Sequence, residues 1–433
     1  MSHDLILVIV AGWFALFLLI GQHVATVLLG TGIVGILLWM GPRVLNGVLG
    51  QDIFYTTSNY SLSIIPLYLL MAQLLMRGGL VLDLFRVGHR LAGYRRFPLG
   101  VATLLIGGLL GAVSGSGAAS AASLATLSAP ELERVGYSRR FAVGLAAVAG
   151  SLSAVIPPSL IVIIYGAITA VPIGALFIGL LGPGLLCIVV YIACLWAFEE
   201  VRPGATALVE PEAEELPRGA MSASIFLLAL LLVVFGGIYG GIITVGEAGA
   251  IGAFTALVGL TAMGRIGWRD LAQSLADSAK ISAMLMLIVI GAQIFARFLA
   301  FSRLPRELLE LAEPLVAEPW LLVAVLMAVL FVAGMILESA AVILLIVPIV
   351  LPMLEAAQID LLWFGVLASF MIALGLLTPP VGLSAYAAAA ARRYPVVEVF
   401  KPASKFALAA AILVVGATIL FPGIVTWLPS HIR

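Results

Sequence analysis

The sequence predicts an all-α polytopic membrane protein with an internal inverted repeat, and three observations lead to this fold class. Hydrophobic residues make up 63% of the 433 and charged residues only 10%, whereas soluble domains carry about 25% charged residues. The dipeptide Pro-Pro occurs twice in apolar sequence, as Pro157-Pro158 and Pro379-Pro380. One offset of 222 residues, the difference between positions 157 and 379, aligns their surroundings without a gap. Most of the surface therefore faces lipid, and the chain holds a duplicated unit.

Composition also argues against several classes of function. The formal net charge is zero, which argues against nucleic acid as a partner. Cys187 and Cys194 lie in one apolar run, where buried thiols are expected rather than a disulfide or a metal pair. A membrane-embedded enzyme would need clustered polar groups, and the histidines lie at chain ends or in loops, so no enzyme is expected. These histidines are His3, His23, His89 and His431.

The predicted crossing helices follow from the apolar runs, because a membrane helix needs about 20 predominantly apolar residues. Runs of suitable length fall at residues 4–21, 24–41, 60–76, 173–197, 221–243, 246–263, 279–300 and 405–428. The segment from Leu80 to Tyr94 mixes Arg, Asp and His with Leu, Val and Phe. This mixture predicts an amphipathic helix at the membrane interface.

Two longer blocks, 99–170 and 321–391, hold the repeats. Each block begins with an apolar arm, breaks at a small or polar cluster and resumes until a lone proline. The breaks are Ser114 to Gly117 in the first block and Glu338-Ser339 in the second. Because the arms are short for a crossing, we predict two re-entrant hairpins whose tips are buried in protein or line a cavity.

A crossing helix follows each hairpin and is interrupted at its Pro-Pro pair. Proline lacks the backbone N–H and clashes with the preceding turn, so two prolines stop the helix and free the carbonyls just upstream. Duplicated, interrupted membrane segments indicate the binding site of a secondary transporter. Sodium prefers oxygen ligands, which unwound backbone and hydroxyls supply without a fixed charge. Half-helix N-termini, in turn, suit the carboxylate of an organic anion.

Basic residues in the loops predict the orientation. Arg77, Arg86, Arg90, Arg95 and Arg96 lie together between the third apolar run and the first repeat, which places that loop in the cytoplasm. The first hairpin then enters from the cytoplasm and the second from the periplasm, so the repeats are inverted, as in alternating-access transporters. Both chain termini are predicted to be periplasmic.

These predictions divide the chain into five parts. The polar linker at 199–219 separates the two halves of the chain. The parts are 1–98 with the first crossing helices and the interfacial helix, 99–170 with repeat one, 171–320 with further crossing helices, 321–391 with repeat two, and 392–433 with a C-terminal helix.

The two repeats carry the resemblance to a known family. The runs GAVSGSGAASAASLATLSAPELERVGYSRRFAVGLAAVAGSLSAVIPPSLIVIIYG and GMILESAAVILLIVPIVLPMLEAAQIDLLWFGVLASFMIALGLLTPPVG resemble the large membrane subunit of tripartite ATP-independent periplasmic (TRAP) transporters, the DctM-like family of the ion-transporter superfamily. The resemblance implies a sodium-coupled importer of organic acids in the bacterial inner membrane, working by an elevator mechanism. In that mechanism a transport domain would hold both repeats, 99–170 and 321–391, and the remaining helices would form a scaffold. It also implies two partners, a small four-helix membrane subunit, expected as a separate polypeptide, and a soluble periplasmic substrate-binding protein.

The resemblance further implies two sodium sites, each between a hairpin tip and a helix break. The first would use Ser114, Ser116 or Gly117 at the tip and the carbonyls of Ser153, Ile156 and Pro158 at the break. The second would use Gly334 at the hairpin and Gly375, Thr378 and Val381 around the break. Candidates for substrate binding or coupling are Ser114, Ser116, Glu338, Ser339, Pro157, Pro379 and Pro380.

This sequence departs from the family at some of these positions, and several roles stay open. The family usually has glycine at the place of Ser153 and often aspartate at the place of Glu338. Residues Ser114 to Gly117 either bind ligands or let helices pack closely. Glu338 is either a functional ionisable group or a cap on free backbone N–H groups. The alternative for the whole chain is a single-chain dicarboxylate or citrate-type carrier that needs no binding protein.

Overall fold

The computed structural model describes residues 3–93, 95–114, 116–200, 216–302, 304–311 and 313–431. Helices dominate this part of the chain, which confirms the predicted all-α class. They are α1 (His3–Leu19), α2 (Val24–Met40), α3 (Pro42–Thr57), α4 (Ile64–Arg77), α5 (Leu80–Leu91), α6 (Arg96–Ser114), α7 (Gly117–Leu127), α8 (Ala129–Arg134), α9 (Arg139–Ser151), α10 (Leu160–Thr169), α11 (Ile173–Phe198), α12 (Ala220–Tyr239), α13 (Val245–Ala262), α14 (Trp268–Phe301), α15 (Leu304–Leu311), α16 (Glu313–Val316), α17 (Pro319–Ile336), α18 (Ser339–Ala356), α19 (Leu361–Gly375), α20 (Leu383–Ala391), α21 (Val396–Ala410), α22 (Gly416–Leu420) and α23 (Gly423–His431).

Seven of the described helices are long and apolar enough to cross a membrane, and the bent pair α4–α5 would add an eighth. The axis turns by 60° between α4 and α5, so α5 leaves the direction of the crossing helix. Its polar residues are not all solvent-exposed: Asp83 is buried and pairs with Arg265 at 2.5 Å. The predicted amphipathic helix is therefore present, and the charge of its Asp83 is balanced by Arg265, which precedes α14.

One group of helices comprises α1 to α4 and α12 to α14, and small residues set its spacing. Helix α2 packs along α14, and α4 packs against both α13 and α14. A Cβ placed on Gly32 would lie 2.8 Å from the backbone carbon of Ile294, and one on Gly252 would lie 2.5 Å from the Met71 sulfur. Glycine at these positions therefore allows the close helix approach that membrane packing requires. We call this group the scaffold helices.

The two repeats have the predicted order of elements. In repeat one, α6 and α7 form the hairpin, and the crossing helix consists of α9, a break and α10. In repeat two, α17 and α18 form the hairpin, and α19, a break and α20 follow. The arms α17 and α18 have 18 residues each and α6 has 19, so the expectation of short arms was wrong for the second hairpin and for the first arm of the first hairpin. The length suffices for a crossing, but extended backbone at Leu337 and Glu338 separates the two arms, and Glu338 caps the start of α18.

Helix caps repeat at the 222-residue offset. Ser138 caps α9 by accepting from Phe141 N at 3.3 Å, and Asp360, at the equivalent position, caps α19 by accepting from Trp363 N at 3.0 Å. Side-chain oxygens at these positions satisfy N–H groups that a helix leaves unpaired at its start. The duplication therefore includes the start of each crossing helix as well as its proline break.

The repeats interlock rather than stand side by side. Helix α20 of repeat two packs along α7 of repeat one, and α10 of repeat one packs along α18 of repeat two. The second half of each broken helix thus rests on the return arm of the other repeat's hairpin. Because of this exchange, each repeat buries apolar surface against the other, and the two form one packing unit.

Charged side chains predicted to share the cytoplasmic side meet at one end of the molecule. Arg392, after α20, pairs with Glu133 of α8 at 3.1 Å. Glu200, after α11, lies 2.5 Å from Arg140 Nε and 3.6 Å from Lys405 Nζ. These contacts are consistent with the predicted sidedness, while the orientation in the membrane itself stays a prediction. The linker 199–219 lies largely outside the described residues.

Two boundaries differ from the sequence-based expectation. The last crossing was expected at 405–428, but the long apolar helical stretch runs from Val396 to Leu420 and α23 follows as a separate short helix. Pro422 ends the stretch because it cannot continue the hydrogen bonding of the helix, and the lysines in the first turns hid the true start.

Helix α3 was not expected, since its mean hydropathy is too low for a crossing run. Its Asp52 forms two hydrogen bonds of 2.9 Å with Arg297 of α14.

Candidate ion and substrate sites

The first helix break is a buried stretch of irregular backbone between α9 and α10. A short 3₁₀ turn, Leu152–Ala154, follows α9, and the Pro157-Pro158 pair then separates it from α10. The Ser153 hydroxyl donates to Gly150 O at 2.7 Å. Because that bond uses the only hydroxyl proton, the lone pairs of the Ser153 oxygen remain available to a further partner.

The tip of the first hairpin lies against this break, which is the arrangement that the family resemblance implies for the first sodium site. A Cβ placed on Gly117 would lie 3.8 Å from Ser153 Oγ. Ser116 caps α7, with its hydroxyl oxygen 3.5 Å from Ala119 N. Ser114 ends α6, and its side chain lies outside the part of the chain that the structure describes. The structure thus brings Ser116 and Gly117 together with the break, without testing which of them binds an ion.

The first arm of this hairpin, α6, also touches the break. A Cβ placed on Gly111 would lie 2.2 Å from the Cα of Ser153, and one on Gly108 would lie 2.6 Å from Ile156 Cδ1. Side chains at these positions of α6 would therefore push the arm away from the break. Glycine lets the hairpin and the break approach within direct backbone contact.

The second break repeats this arrangement in repeat two. A Cβ placed on Gly375 would lie 2.7 Å from the backbone carbon of Gly334, so the hairpin arm and the crossing helix touch there. The Thr378 hydroxyl donates to Gly375 O at 2.9 Å. Val381 N donates to Met335 O at 3.2 Å, which ties the far side of the break to the same arm. The four residues predicted for the second sodium site are therefore close together.

The two breaks differ in their exposure. Pro157 and Pro158 are buried, whereas Pro379, Pro380 and Val381 are exposed, Val381 by 37%. In both pairs the Pro-Pro peptide bond is cis. The first break is therefore covered by the surrounding helices, including α6, and the second opens onto the surface of the chain.

A cavity of about 390 Å³ lies between the two hairpin tips and the scaffold helices α4 and α14. Ser116 and Gly117 of the first tip and Glu338 and Ser339 of the second line one side. Gln73 of α4 lies opposite, and the remaining lining side chains are apolar. Cavities of about 300–1,000 Å³ with mostly apolar walls and a few convergent polar groups are typical of small-molecule sites.

Glu338 has the capping role that the sequence left as one of two alternatives. Its carboxylate accepts from Ala340 N at 2.9 Å and so occupies the start of α18. It also lines the cavity, so the cap holds a carboxylate beside the space between the tips. The start of α18 therefore carries its own anion, whereas the start of α7 faces the cavity with a neutral cap, Ser116.

Two polar residues near the site were missed by sequence reasoning. Gln73 is the polar side chain that α4 contributes to the cavity. Ser384 of α20 is fully buried, and its hydroxyl has no hydrogen-bond partner among the described residues. Neither residue belongs to a motif, and the repeat offset gives no signal for Ser384, because its equivalent is Val162. Only the packing of α20 on α7 brings Ser384 to the first tip.

Metal-binding clusters of the kind that holds zinc do not occur in the described ranges: no three His, Cys, Asp or Glu side chains gather there. Cys187 and Cys194 are both buried and free, as the sequence indicated. The oxygen atoms near the breaks belong to hydroxyls and backbone carbonyls, which suit a hard monovalent cation held without a fixed counter-charge.

Comparison with known proteins gives a family and a fold. The chain matches the family described as the tripartite ATP-independent periplasmic transporter, DctM component, over residues 11–424. The C4-dicarboxylate TRAP transporter large permease protein DctM of Pseudomonas aeruginosa is 31% identical over 348 residues, which cover 80% of this chain and 81% of that protein. The ectoine TRAP transporter large permease protein TeaC of Halomonas elongata is 29% identical, over 95% of this chain and 96% of that protein.

A solved structure supports the architecture. The crystal structure of the YdaH transporter of Alcanivorax borkumensis, which has an unusual topology, is similar with a TM-score of 0.69 and covers 89% of each chain. Sequence identity to that transporter is 13%, so the likeness concerns the fold alone.

Proposed function

The chain belongs to the DctM component family of tripartite ATP-independent periplasmic transporters, and we propose that it imports a small organic anion in symport with sodium. One observation carries the proposal: both hairpin tips line a single cavity, and a helix break lies directly behind each tip. Ions bound at the breaks would order the tips, and the ordered tips would bind the substrate. Sodium binding then raises the affinity for the substrate, and substrate binding raises the affinity for sodium, which is what coupling requires.

The proposed ion ligands are those predicted from the resemblance, at the two breaks. Support comes from the contacts of each break with its own hairpin, Gly117 near Ser153 in repeat one and Gly334 against Gly375 in repeat two. Thr378 adds a buried hydroxyl to the second set. The donor atoms are neutral oxygens, which favour sodium over a divalent cation.

An elevator movement is the proposed mechanism of access. The cavity has one wall of hairpin tips and another of the scaffold helices α4 and α14. If the interlocked repeats slide as one unit along these scaffold helices, the cavity opens to one side of the membrane and then to the other. The apolar side chains of α4 and α14 that face the tips provide a surface with few fixed hydrogen bonds to break.

The expected partners are a small membrane subunit and a periplasmic substrate-binding protein. The relatives are named as large permease proteins of TRAP transporters, and a large subunit implies a smaller one. The alternative carrier, which works without a binding protein, predicts uptake by this chain alone in proteoliposomes. Uptake that requires both partners would contradict that alternative.

The cavity walls favour an anion with one carboxylate and an apolar body. Among the described residues that line the cavity there is no Lys, Arg or His. The start of α7 offers one place for a carboxylate, whereas Glu338 already holds the start of α18. A second carboxylate would lie against apolar side chains or near Glu338, where desolvation and like charge both disfavour it.

A thermal-shift comparison tests this substrate class on the purified chain in sodium buffer. Branched-chain or aromatic monocarboxylates are expected to raise the melting temperature, and succinate and sugar acids at equal concentration are not. Stabilisation by succinate alone would contradict the assignment. Because no binding protein is present, its own selectivity does not enter this measurement.

Sodium coupling is tested by uptake into proteoliposomes that hold the chain with its small subunit, with the binding protein outside. Thr378→Ala is expected to raise the sodium concentration for half-maximal uptake about tenfold, a free-energy change of about 1.4 kcal/mol. Thr378→Ser keeps the hydroxyl and is the matched control. Unchanged sodium dependence in both Thr378→Ala and Ser114→Ala would overturn the ligand assignment.

A further inference from the structure

Ser384 is a polar group whose role neither the repeat pattern nor the predicted site explains. It is the second residue of α20, with 0% of its surface exposed. Its hydroxyl has no hydrogen-bond partner within the described part of the chain. A buried hydroxyl left unpaired costs about 1–3 kcal/mol, so a position that keeps one calls for a functional explanation.

The hydroxyl lies at the first hairpin tip, although Ser384 belongs to repeat two. A Cβ placed on Gly117 would lie 3.1 Å from Ser384 Oγ and 3.8 Å from Ser153 Oγ. Hydroxyls from both repeats therefore flank the same tip glycine. Any side chain at Gly117 would fill the space between them, so glycine keeps these two oxygens accessible to a shared small partner.

The start of α20 does not offer an anion site. Val381 N and Gly382 N both donate to Met335 O, and Ser384 N and Ala385 N both approach Leu376 O. These bonds occupy the N–H groups by which a helix start would hold a carboxylate. The Ser384 hydroxyl is thus a buried polar group that α20 can still contribute, and its oxygen can serve as a ligand of a hard cation.

The burial of the two serines also points to an ion. Gly117 lines the 390 Å³ cavity, whereas Ser384 and Ser153 do not. Both serines are fully buried, so their hydroxyls lie outside the space that an organic anion would occupy. A small ion beside Gly117 would still be within reach of both hydroxyls.

We propose that Ser384 Oγ is a ligand of the cation at the first hairpin tip, so that both repeats contribute to the first sodium site. This inference rests on the proposed sodium coupling. Sodium would then hold α20 of repeat two against the tip of repeat one, linking the packing of the repeats to ion binding. The equivalent position in repeat one is Val162, so the second site has no corresponding hydroxyl.

The test measures thermal unfolding of the full purified chain in detergent, titrated with sodium chloride at constant ionic strength set by choline chloride. Ser384→Ala is expected to raise the sodium concentration for half-maximal stabilisation about tenfold. Its melting temperature without sodium is expected to equal or exceed that of the parent, because the substitution removes an unpaired buried hydroxyl. Ser369→Ala is the matched control, since Ser369 is equally buried but donates to Gly365 O at 2.8 Å within its own helix.

Each result has a distinct meaning. If the parent chain shows no sodium-specific stabilisation, the proposed sodium coupling itself fails. If the parent responds and Ser384→Ala responds identically, only the role of Ser384 is overturned. If Ser384→Ala keeps its sodium response but loses stabilisation by the carboxylate substrate, the hydroxyl binds substrate, which also contradicts the proposal. Should the alanine variant fail to fold, Ser384→Cys keeps the side-chain size and replaces the hard oxygen ligand with a soft sulfur.

Discussion

Replacing Gly375 with alanine tests whether backbone contact between hairpin and crossing helix sets the second ion site. The added Cβ would lie 2.6 Å from Phe331 O, 2.7 Å from the Gly334 carbonyl carbon and 2.9 Å from Gly334 Cα. Ordinary contacts between carbon atoms are about 3.5–4.0 Å. All three neighbours are backbone atoms of α17, so relief requires that α17 and α19 separate by about 1 Å.

Two consequences follow from a separation of this size. Overpacking of a well-packed interior costs about 1–3 kcal/mol, so the melting temperature should fall. Ligand distances in ion sites hold to about 0.2 Å, so a shift of about 1 Å should also displace the Gly334 and Gly375 oxygens from a common ion. We expect the sodium concentration for half-maximal uptake to rise at least about tenfold, which corresponds to about 1.4 kcal/mol.

The assay is sodium-dependent uptake into proteoliposomes, with the melting temperature of the same protein measured alongside. Gly236→Ala is the control, because a Cβ on Gly236 meets nothing within 4 Å. That variant should keep parental sodium dependence and gain stability, since alanine is the better helix former by about 1 kcal/mol. Parental sodium dependence in Gly375→Ala would refute the reasoning, because it would mean that the backbone contact does not position the ion ligands.

Two further predictions concern the tip and the cytoplasmic end. Glu338→Ala should lower the free energy of unfolding by about 1 kcal/mol, because the α18 cap is lost. Glu338→Gln can still accept from Ala340 N and should melt near the parental temperature. Equal losses in both variants would show that the charge of Glu338, rather than its cap bond, stabilises the tip. Reversing the charge of Arg392 or of Glu133 alone should destabilise the chain. Reversing both charges together should recover about 1 kcal/mol in a double-mutant cycle of thermal unfolding. Additive losses would show that the 3.1 Å ion pair contributes no coupling energy.

Local features of the fold could be read from the sequence. The breaks at Pro157-Pro158 and Pro379-Pro380 lie where the prolines stop the helix, since proline acts on the turn immediately before it. The helix caps that the structure adds at Ser138 and Asp360 also act within three residues. These positions recur at one offset, so a comparison of the chain with itself was enough to find both repeats.

Helix boundaries that depend on apolar length or on hydropathy could not be read from the sequence in the same way. The start of the last crossing at Val396 was missed because its first turns are amphipathic, and α3 was missed because polar residues interrupt it. The arms of the second hairpin were expected to be short, yet α17 and α18 are as long as a crossing. Apolar length alone does not tell a crossing from a hairpin arm; the cap at Glu338 and the cavity that it shares with the first tip mark the second tip.

The sequence by itself determined that this is a membrane protein with two proline-broken repeats, predicted that the repeats are inverted, and carried the resemblance to its family. Only the tertiary structure decided that the repeats exchange their half-helices, that both tips share one mostly apolar cavity, and that Ser384 lies beside Gly117. The physical reason is the range of the interactions. Prolines, caps and apolar runs act within a few residues of the chain, whereas the packing of α20 on α7 depends on how two distant helices fit together.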